Sequence, residues 1–258
     1  MAARLATAAY ALFAYLTFLV TVGWAIGFLA DALVPRAVDT ARPGSWPAAA
    51  AIDLALLSFF ALQHSVMARA FCKRWLAKRV PPSTVRSTYV LLASGTLVAT
   101  FWFWWPITAR LWEVESPLGR LLIFSAYTAG WALVIASTFM IDHFEFVGLR
   151  QAYASITRQS MTTAPFRVAW AYAWVRHPMM LGLIIVFWAT PQMSAGHMLF
   201  AVAGTVYILI GIRFEERDLR ADLGAAYREY AQCVPALIPR PWSLTRRTVA
   251  GQTTTPTE

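Results

Sequence analysis

Charged residues are scarce in this chain: they make up 14% of its 258 residues, against 59% hydrophobic ones. That balance excludes an ordinary soluble domain, in which about a quarter of residues are charged. Acids are the scarcer sign, 13 Asp and Glu facing 22 Lys and Arg, for a net charge of +9. Cysteine is limited to Cys72 and Cys233, too few for a disulfide framework and without the spacing of a metal motif. No internal repeat is present. The first apolar run is too long, its basic flank too weak and a small-residue cleavage site missing, so it is expected to be a retained span rather than a cleaved signal.

What the chain does have is a series of apolar runs approaching the roughly 20 residues needed to cross a bilayer. The expected fold is all-α: a polytopic transmembrane helical bundle of about five to six membrane helices, ending in a C-terminal helical hairpin. It should form one membrane-embedded domain over residues 1–247, with 248–258 a disordered tail. Eighteen of the 22 basic residues fall at the N-terminus, in Arg69–Arg86, in Arg150–Arg176 and in Arg213–Arg247. Threading the spans alternately puts all four regions on one side. The positive-inside rule then makes both termini cytoplasmic, in a bacterial-type inner membrane. The basic excess serves topology and attraction to anionic lipid. It lacks the interleaved aromatics of a nucleic-acid groove, so the expected partners are the bilayer and a small molecule. Oligomeric state is not legible.

Span one is expected near Tyr10–Ala30, followed by a loop with Pro35, Pro43 and Gly44. Span two, near Ala48–Ala68, carries Asp53 and Gln63-His64-Ser65. Eleven residues return Asp53 and His64 to nearly one helical face, about 16 Å apart along the axis, and that face should look inward. Lys73, Arg74, Lys78 and Arg79 beside Phe71 and Trp75 suit a short surface helix. Span three ends in Phe101–Trp105, an expected aromatic belt. Span four runs from Leu118 to Ile141 and meets Asp142, His143, Glu145 and Arg150, either a solvated helix end or part of a site. Residues 151–175, with Phe166, Trp170, Tyr172 and Trp174, should pack as a lid. The last apolar helices, Pro178–Ala189 and His197–Ile212, are each short for a span. Their turn at Thr190–Gly196 would return the chain to the side it left. A charged helix then continues through Tyr230.

The candidate chemistry gathers around that hairpin. In Arg176-His177-Pro178 the proline marks a helix start, whose N–H groups and positive dipole end favour an anionic group. Gly182 permits close approach of a backbone or ligand. Glu215 and Glu216 close the next helix; carboxylates suit ribose hydroxyls or an ammonium group. The alternative is that Arg213, Arg217 or Arg220 simply pairs with them. For proton transfer His64 is the first candidate and His143 the second, unless His64 is a core histidine bonded to Asp53 or a carbonyl.

Arg176-His177-Pro178-x-x-x-Gly182, a two-helix turn, Glu215-Glu216-Arg217-Asp218-Leu219, Tyr227-x-x-Tyr230 and Pro235 resemble the C-terminal signature of isoprenylcysteine carboxyl methyltransferase-type membrane enzymes. Gln63-His64-Ser65-x-Met67-Ala68-Arg69, Arg86-Ser87-Thr88-Tyr89, Asp142-His143-Phe144-Glu145-x-x-Gly148-Leu149-Arg150-Gln151 and Trp188-Ala189-Thr190-Pro191-x-Met193 extend the likeness to the methanethiol S-methyltransferase branch. The resemblance implies S-adenosylmethionine as methyl donor, held by Arg176, His177, Pro178, Met180, Gly182, Glu215 and Glu216. Gln63, Asp142 and Met179 would meet a small thiol, and His64 or His143 would promote loss of its proton, so that methanethiol becomes dimethyl sulfide. No metal is implied. Met180 stands where the broader family commonly has tyrosine, a softer wall that suits a small thiol. Other acceptors (a prenylated thiol or a lipid amine) share the broad signature, and a sterol-reductase-like NADPH enzyme shares the Arg-His-Pro end. That last reading is disfavoured for want of a second basic cluster near Glu215. The His64 region also resembles NnrU-type proteins, which would make His64, His143 or His177 haem ligands, with His197 set apart on the opposite turn.

Overall fold

A computed structural model describes residues 2–40, 42, 44–158 and 170–239. Pro43, Phe166 and the 248–258 tail lie outside the described residues. The chain is helical almost throughout. Its helices are α1 (Ala2–Leu29), α2 (Trp46–Ala68), α3 (Ala70–Leu76), α4 (Val85–Phe103), α5 (Pro117–Ile141), α6 (His143–Val147), α7 (Leu149–Thr157), α8 (Pro178–Trp188), α9 (Ala195–Leu223) and α10 (Ala225–Cys233). Segments within α1, α2, α5 and α9 are long and apolar enough to cross a membrane. The shorter α4 packs against α1 and α2, and α8 packs against α5 and α9, giving a bundle of six principal helices.

Local sequence sets the helix starts. Ser116 caps α5 by accepting from the Gly119 N–H, with Pro117 at the first turn. Ser194 caps α9 by accepting from the His197 N–H at 3.0 Å. These side chains satisfy amide groups that helix geometry leaves without a carbonyl. Between α6 and α7 stands Gly148, at φ +90°, where a Cβ would come within 2.6 Å of Ser87 Oγ. That position requires glycine on both counts.

Two expectations about the hairpin change. The apolar run His197–Ile212 and the charged run after Arg213 form one continuous helix of 29 residues, broken only at Gly224. At about 44 Å, α9 spans comfortably; α8, with 11 residues, reaches only about 16 Å. The turn between them contains a strand, β2 (Gln192–Ser194), paired antiparallel with β1 (Arg110–Glu113) from the α4–α5 link.

The helix ends sort by charge. The start of α1, the end of α2, α3, the start of α4, α6, α7, the start of α8 and the end of α9 meet at one end, tied by Tyr10–Thr88, Arg69–Asp218 and Arg86–Phe146 contacts. This is the basic end; the β1–β2 pair closes the other. Packing differs between them. Toward the sheet end Phe28, Phe101, Trp104, Tyr127, Trp131 and Phe200 form an aromatic core, with Phe28 stacked on Phe101 at 4.6 Å. The aromatic belt is therefore only half a belt. Phe101 and Trp104, three residues apart on one helical face, are buried, while Trp102 and Phe103 are exposed. Toward the basic end the buried side chains are mainly small or polar: Ala11, Ala14, Ser87, Ser94, Ser137, Thr138 and His143.

Gly182 has a packing role. A Cβ there would lie 2.7 Å from the Gly130 carbonyl and 2.9 Å from Val134 Cγ2, so what approaches it closely is the backbone of α5. Gly182→Ala is expected to force α5 and α8 apart, costing about 1–3 kcal/mol and lowering the melting temperature in detergent. An unchanged melt would contradict this packing.

Candidate functional site at the basic end

Arg176 ends the link into α8, and its guanidinium turns inward. Nε donates to Glu216 Oε1 at 2.8 Å, a second nitrogen donates to the same oxygen, and the remaining one reaches the carbonyls of Ala231 (3.0 Å) and Val234. Both side chains are nearly buried, at 10% and 13% exposed. Glu216 also accepts from Arg220 at 3.0 Å and lies 3.3 Å from His177 Nε2. Glu215 differs. It is 46% exposed, and its close partner among the described residues is the His177 ring, with Nδ1 3.5 Å away. Arg176 and Arg220, rather than Arg213 or Arg217, are the partners of Glu216.

The start of α8 is less open than the sequence suggests. The Arg176 and His177 N–H groups donate to the carbonyls of Pro235 and Ala236, at 2.9 and 3.1 Å. The segment after α10 thus lies across the helix entrance. Pro178 has no N–H, which leaves those of Met179 and Met180 as first-turn donors. Both methionine side chains are half-buried. Nearby, Tyr230 donates to the Tyr172 carbonyl at 2.7 Å, and burial together with the Glu215 charge pushes the Tyr172 hydroxyl up to about 12.

The other sequence candidates sit apart from this cluster. His64 does not use Asp53. Its Nδ1 meets Tyr207 Oη at 2.8 Å and its Nε2 meets Tyr89 Oη at 2.7 Å. Asp53, fully buried, accepts instead from the Trp105 N–H at 2.8 Å. Gln63 donates to Met67 Sδ and accepts from Thr96. Tyr207 and Glu216 are nine residues apart on α9, about two and a half turns, which puts them on opposite faces. Asp218, eleven residues from Tyr207, returns to the Tyr207 face and pairs with Arg69 at 3.2 Å.

His143 forms a third cluster. The hydroxyl hydrogen of Thr138 goes to the Ile135 carbonyl at 2.7 Å, so His143 Nδ1–H donates to Thr138 at 2.8 Å and Nε2 accepts from Tyr15 at 3.1 Å. Asp142 caps α6 through the Glu145 N–H and pairs with Arg150. Neither His64 nor His143 presents a bare ring nitrogen; each is reached through a tyrosine hydroxyl. Tyr15 and Tyr207 escaped the sequence analysis, and Tyr89 entered it only as part of a motif, without a role. The available signal was a phenol in an apolar helix, which seeks a partner when buried.

This chain is 50% identical over 92% of its length to a methanethiol S-methyltransferase of Mycobacterium tuberculosis, covering 98% of that protein. The chain belongs to the methanethiol S-methyltransferase family. Methanethiol S-methyltransferase 2 of Bradyrhizobium diazoefficiens is 47% identical over 93% of the chain and 92% of its own length. Nurim of Xenopus laevis is 29% identical over 67% of the chain and 64% of its length. No family model matches the chain, and no solved structure matches it. In this methyltransferase-family chain, the histidine and acidic motifs carrying the resemblance fall into three clusters at the basic end, while the 188–193 motif lies at the turn that pairs with β1.

Two outcomes test the geometry. Arg176→Met leaves Glu216 short of its main partner and should cost about 3–5 kcal/mol. Removing both, in Arg176→Met/Glu216→Met, should cost less than either single change, as read by thermal melts in detergent. Burial holds His143 below the usual histidine value, with Asp142 opposing. As pH falls below about 6.5 the unfolded chain therefore binds a proton before the folded one does. His143 should thus contribute full stability above that pH and lose it below, and His143→Asn should flatten the melting temperature between pH 7.5 and 5.5.

Proposed function

We propose that this protein is an integral membrane enzyme that methylates the sulfur of methanethiol with S-adenosylmethionine, forming dimethyl sulfide, its termini and site facing the cytoplasm. The observation that carries this reading is similarity over nearly the whole chain to relatives named for that activity. The residues present fit the donor. Glu215 is an exposed carboxylate with little local compensation, suited to an ammonium or ribose hydroxyls, and the Met179 and Met180 N–H groups at the start of α8 suit a carboxylate. Glu216, saturated by Arg176 and Arg220, acts as the strut that positions them.

When bound, S-adenosylmethionine supplies an electrophilic sulfonium methyl that a thiolate takes up directly. The protein's part is alignment and exclusion of water. Met179 and Met180 form an apolar wall beside His177. Access in this reading is from the basic end, where Glu215 and the start of α8 lie. His64 is a positioning residue in this reading, clamping Tyr89 of α4 to Tyr207 of α9, the helix that carries the acids. Haem ligation by His64 or His143 would first require breaking a tyrosine hydrogen bond, which disfavours that alternative.

Cells expressing the chain and fed methanethiol should accumulate dimethyl sulfide in the headspace; none above the vector control would overturn the activity. In calorimetry, Glu215→Gln should weaken donor binding about tenfold, the loss of one charge-assisted hydrogen bond. His177→Ala should also weaken it. His64→Ala should reduce turnover with donor affinity retained, and full turnover in that variant would remove His64 from the mechanism.

A further inference from the structure

A hollow at the basic end lies away from the acidic pair. It occupies about 240 Å³ between the end of α2, α3, the start of α4 and α7. Met67, Leu76 and Val85 supply an apolar wall, Lys73 and Arg86 stand at it, and Tyr89 closes one side. Arg86 donates from Nε to the Phe146 carbonyl at 2.8 Å and lies 5.6 and 5.2 Å from the Tyr89 and Phe146 rings; its terminal nitrogens have no hydrogen-bond acceptor among the described residues. Glu145, the neighbouring carboxylate, is engaged by Arg150. Two cations thus face one hollow without an anion between them, and both burial and Arg86 depress the Lys73 ammonium. Gln151, also in the wall, donates to the Glu145 carbonyl while its own oxygen is buried without a donor among the described residues.

The surroundings say what kind of anion fits. α3 exposes Phe71 and Trp75 at 59% and 52% on a helix that also carries Arg74, with Arg79 lying 3.7 Å over the Trp75 ring. A short basic helix with exposed aromatics lies in the headgroup region of a membrane. A hollow beside such a helix, with cations on one wall and Met67, Leu76 and Val85 on another, suits the boundary between phosphates and acyl chains. A sulfonium donor would be repelled by the two cations. A methyl acceptor held here would be on the α2 side of α9, while Glu216 points to the opposite face.

We propose that this hollow binds one anionic phospholipid, its phosphate between Lys73 and Arg86, a headgroup hydroxyl donating to Gln151 and an acyl chain along Met67, Leu76 and Val85. The site does not depend on the methyltransferase reading. Basic pockets between membrane helices recognise such headgroups, each cation near the surface adding affinity.

The full-length protein in phosphatidylcholine nanodiscs, with or without phosphatidylglycerol, provides the test, read by melting temperature and by native mass spectrometry of retained lipid. Phosphatidylglycerol should raise the melting temperature and stay bound. Lys73→Gln/Arg86→Gln should weaken retention about 30-fold, two cations' worth. Lys73→Gln alone, which leaves the Arg86–Phe146 bond in place, should give part of that loss. Arg74→Gln/Lys78→Gln removes the same charge outside the hollow and should retain the lipid. Equal loss in that control would mean general surface attraction and overturn the proposal. An equal rise with inorganic phosphate in phosphatidylcholine discs would mean an anion site without a lipid chain, and would overturn it too.

Discussion

Arg176 and Glu216 bury opposite charges where α8 begins and α9 nears its end. Removing such groups from water costs several kcal/mol for each ion, and attraction offsets it only when the remaining hydrogen-bonding capacity is satisfied. Here it is: the Arg176 fork also reaches Ala231 and Val234, and Glu216 takes Arg220 and His177 as well. The pair therefore does more than join two helices. It draws in α10 and the segment after it, whose Pro235 and Ala236 carbonyls then occupy amide groups at the α8 entrance. Glu215, next to it in sequence, is left exposed. One acid serves structure, and the other stays open to solvent.

The rest of the bundle divides along its length. Toward the β1–β2 pair, large aromatic rings pack the interior, with a hollow of about 270 Å³ beside them, lined by Asp39, Arg120 and Gln192 among others. Toward the basic end the same helices bring small residues, hydroxyls and imidazoles together. Buried polar groups are tolerable only when paired, and tyrosines do the pairing: Tyr15 for His143, Tyr89 and Tyr207 for His64. These bonds join α1 to α6 and connect α2, α4 and α9. The polar network thus fixes helix order at the end where the aromatic core is absent.

Much was legible in advance because bilayer physics is local and directional. Apolar runs of sufficient length announce helices, and eighteen of 22 basic residues on alternate links announce a common end. Arg176-His177-Pro178 and Glu215-Glu216 do meet, as the hairpin implied. The misjudgements arose where tertiary contacts overrule local pattern. Phe101 and Trp104 look like interface anchors until α1 and α9 supply Phe28 and Phe200 to bury them. Gly182 admits a backbone or a ligand by its sequence, and only the packing shows that the backbone of α5 lies against it. The run after Arg213 looks separate from the apolar helix before it, yet nothing in the intervening backbone breaks the helix before Gly224.

Composition, spacing and charge distribution were enough to establish an all-helical bundle, which of its ends is basic, and which two motifs share that end. They work because periodicity and length act on each segment separately. Which acid is sequestered, whose hydroxyls hold the histidines, and which face of α9 meets α2 depend on helices far apart in sequence arriving at one place. A hydrogen bond such as Tyr89 to His64 exists only after both helices have packed, so no window along the chain contains it.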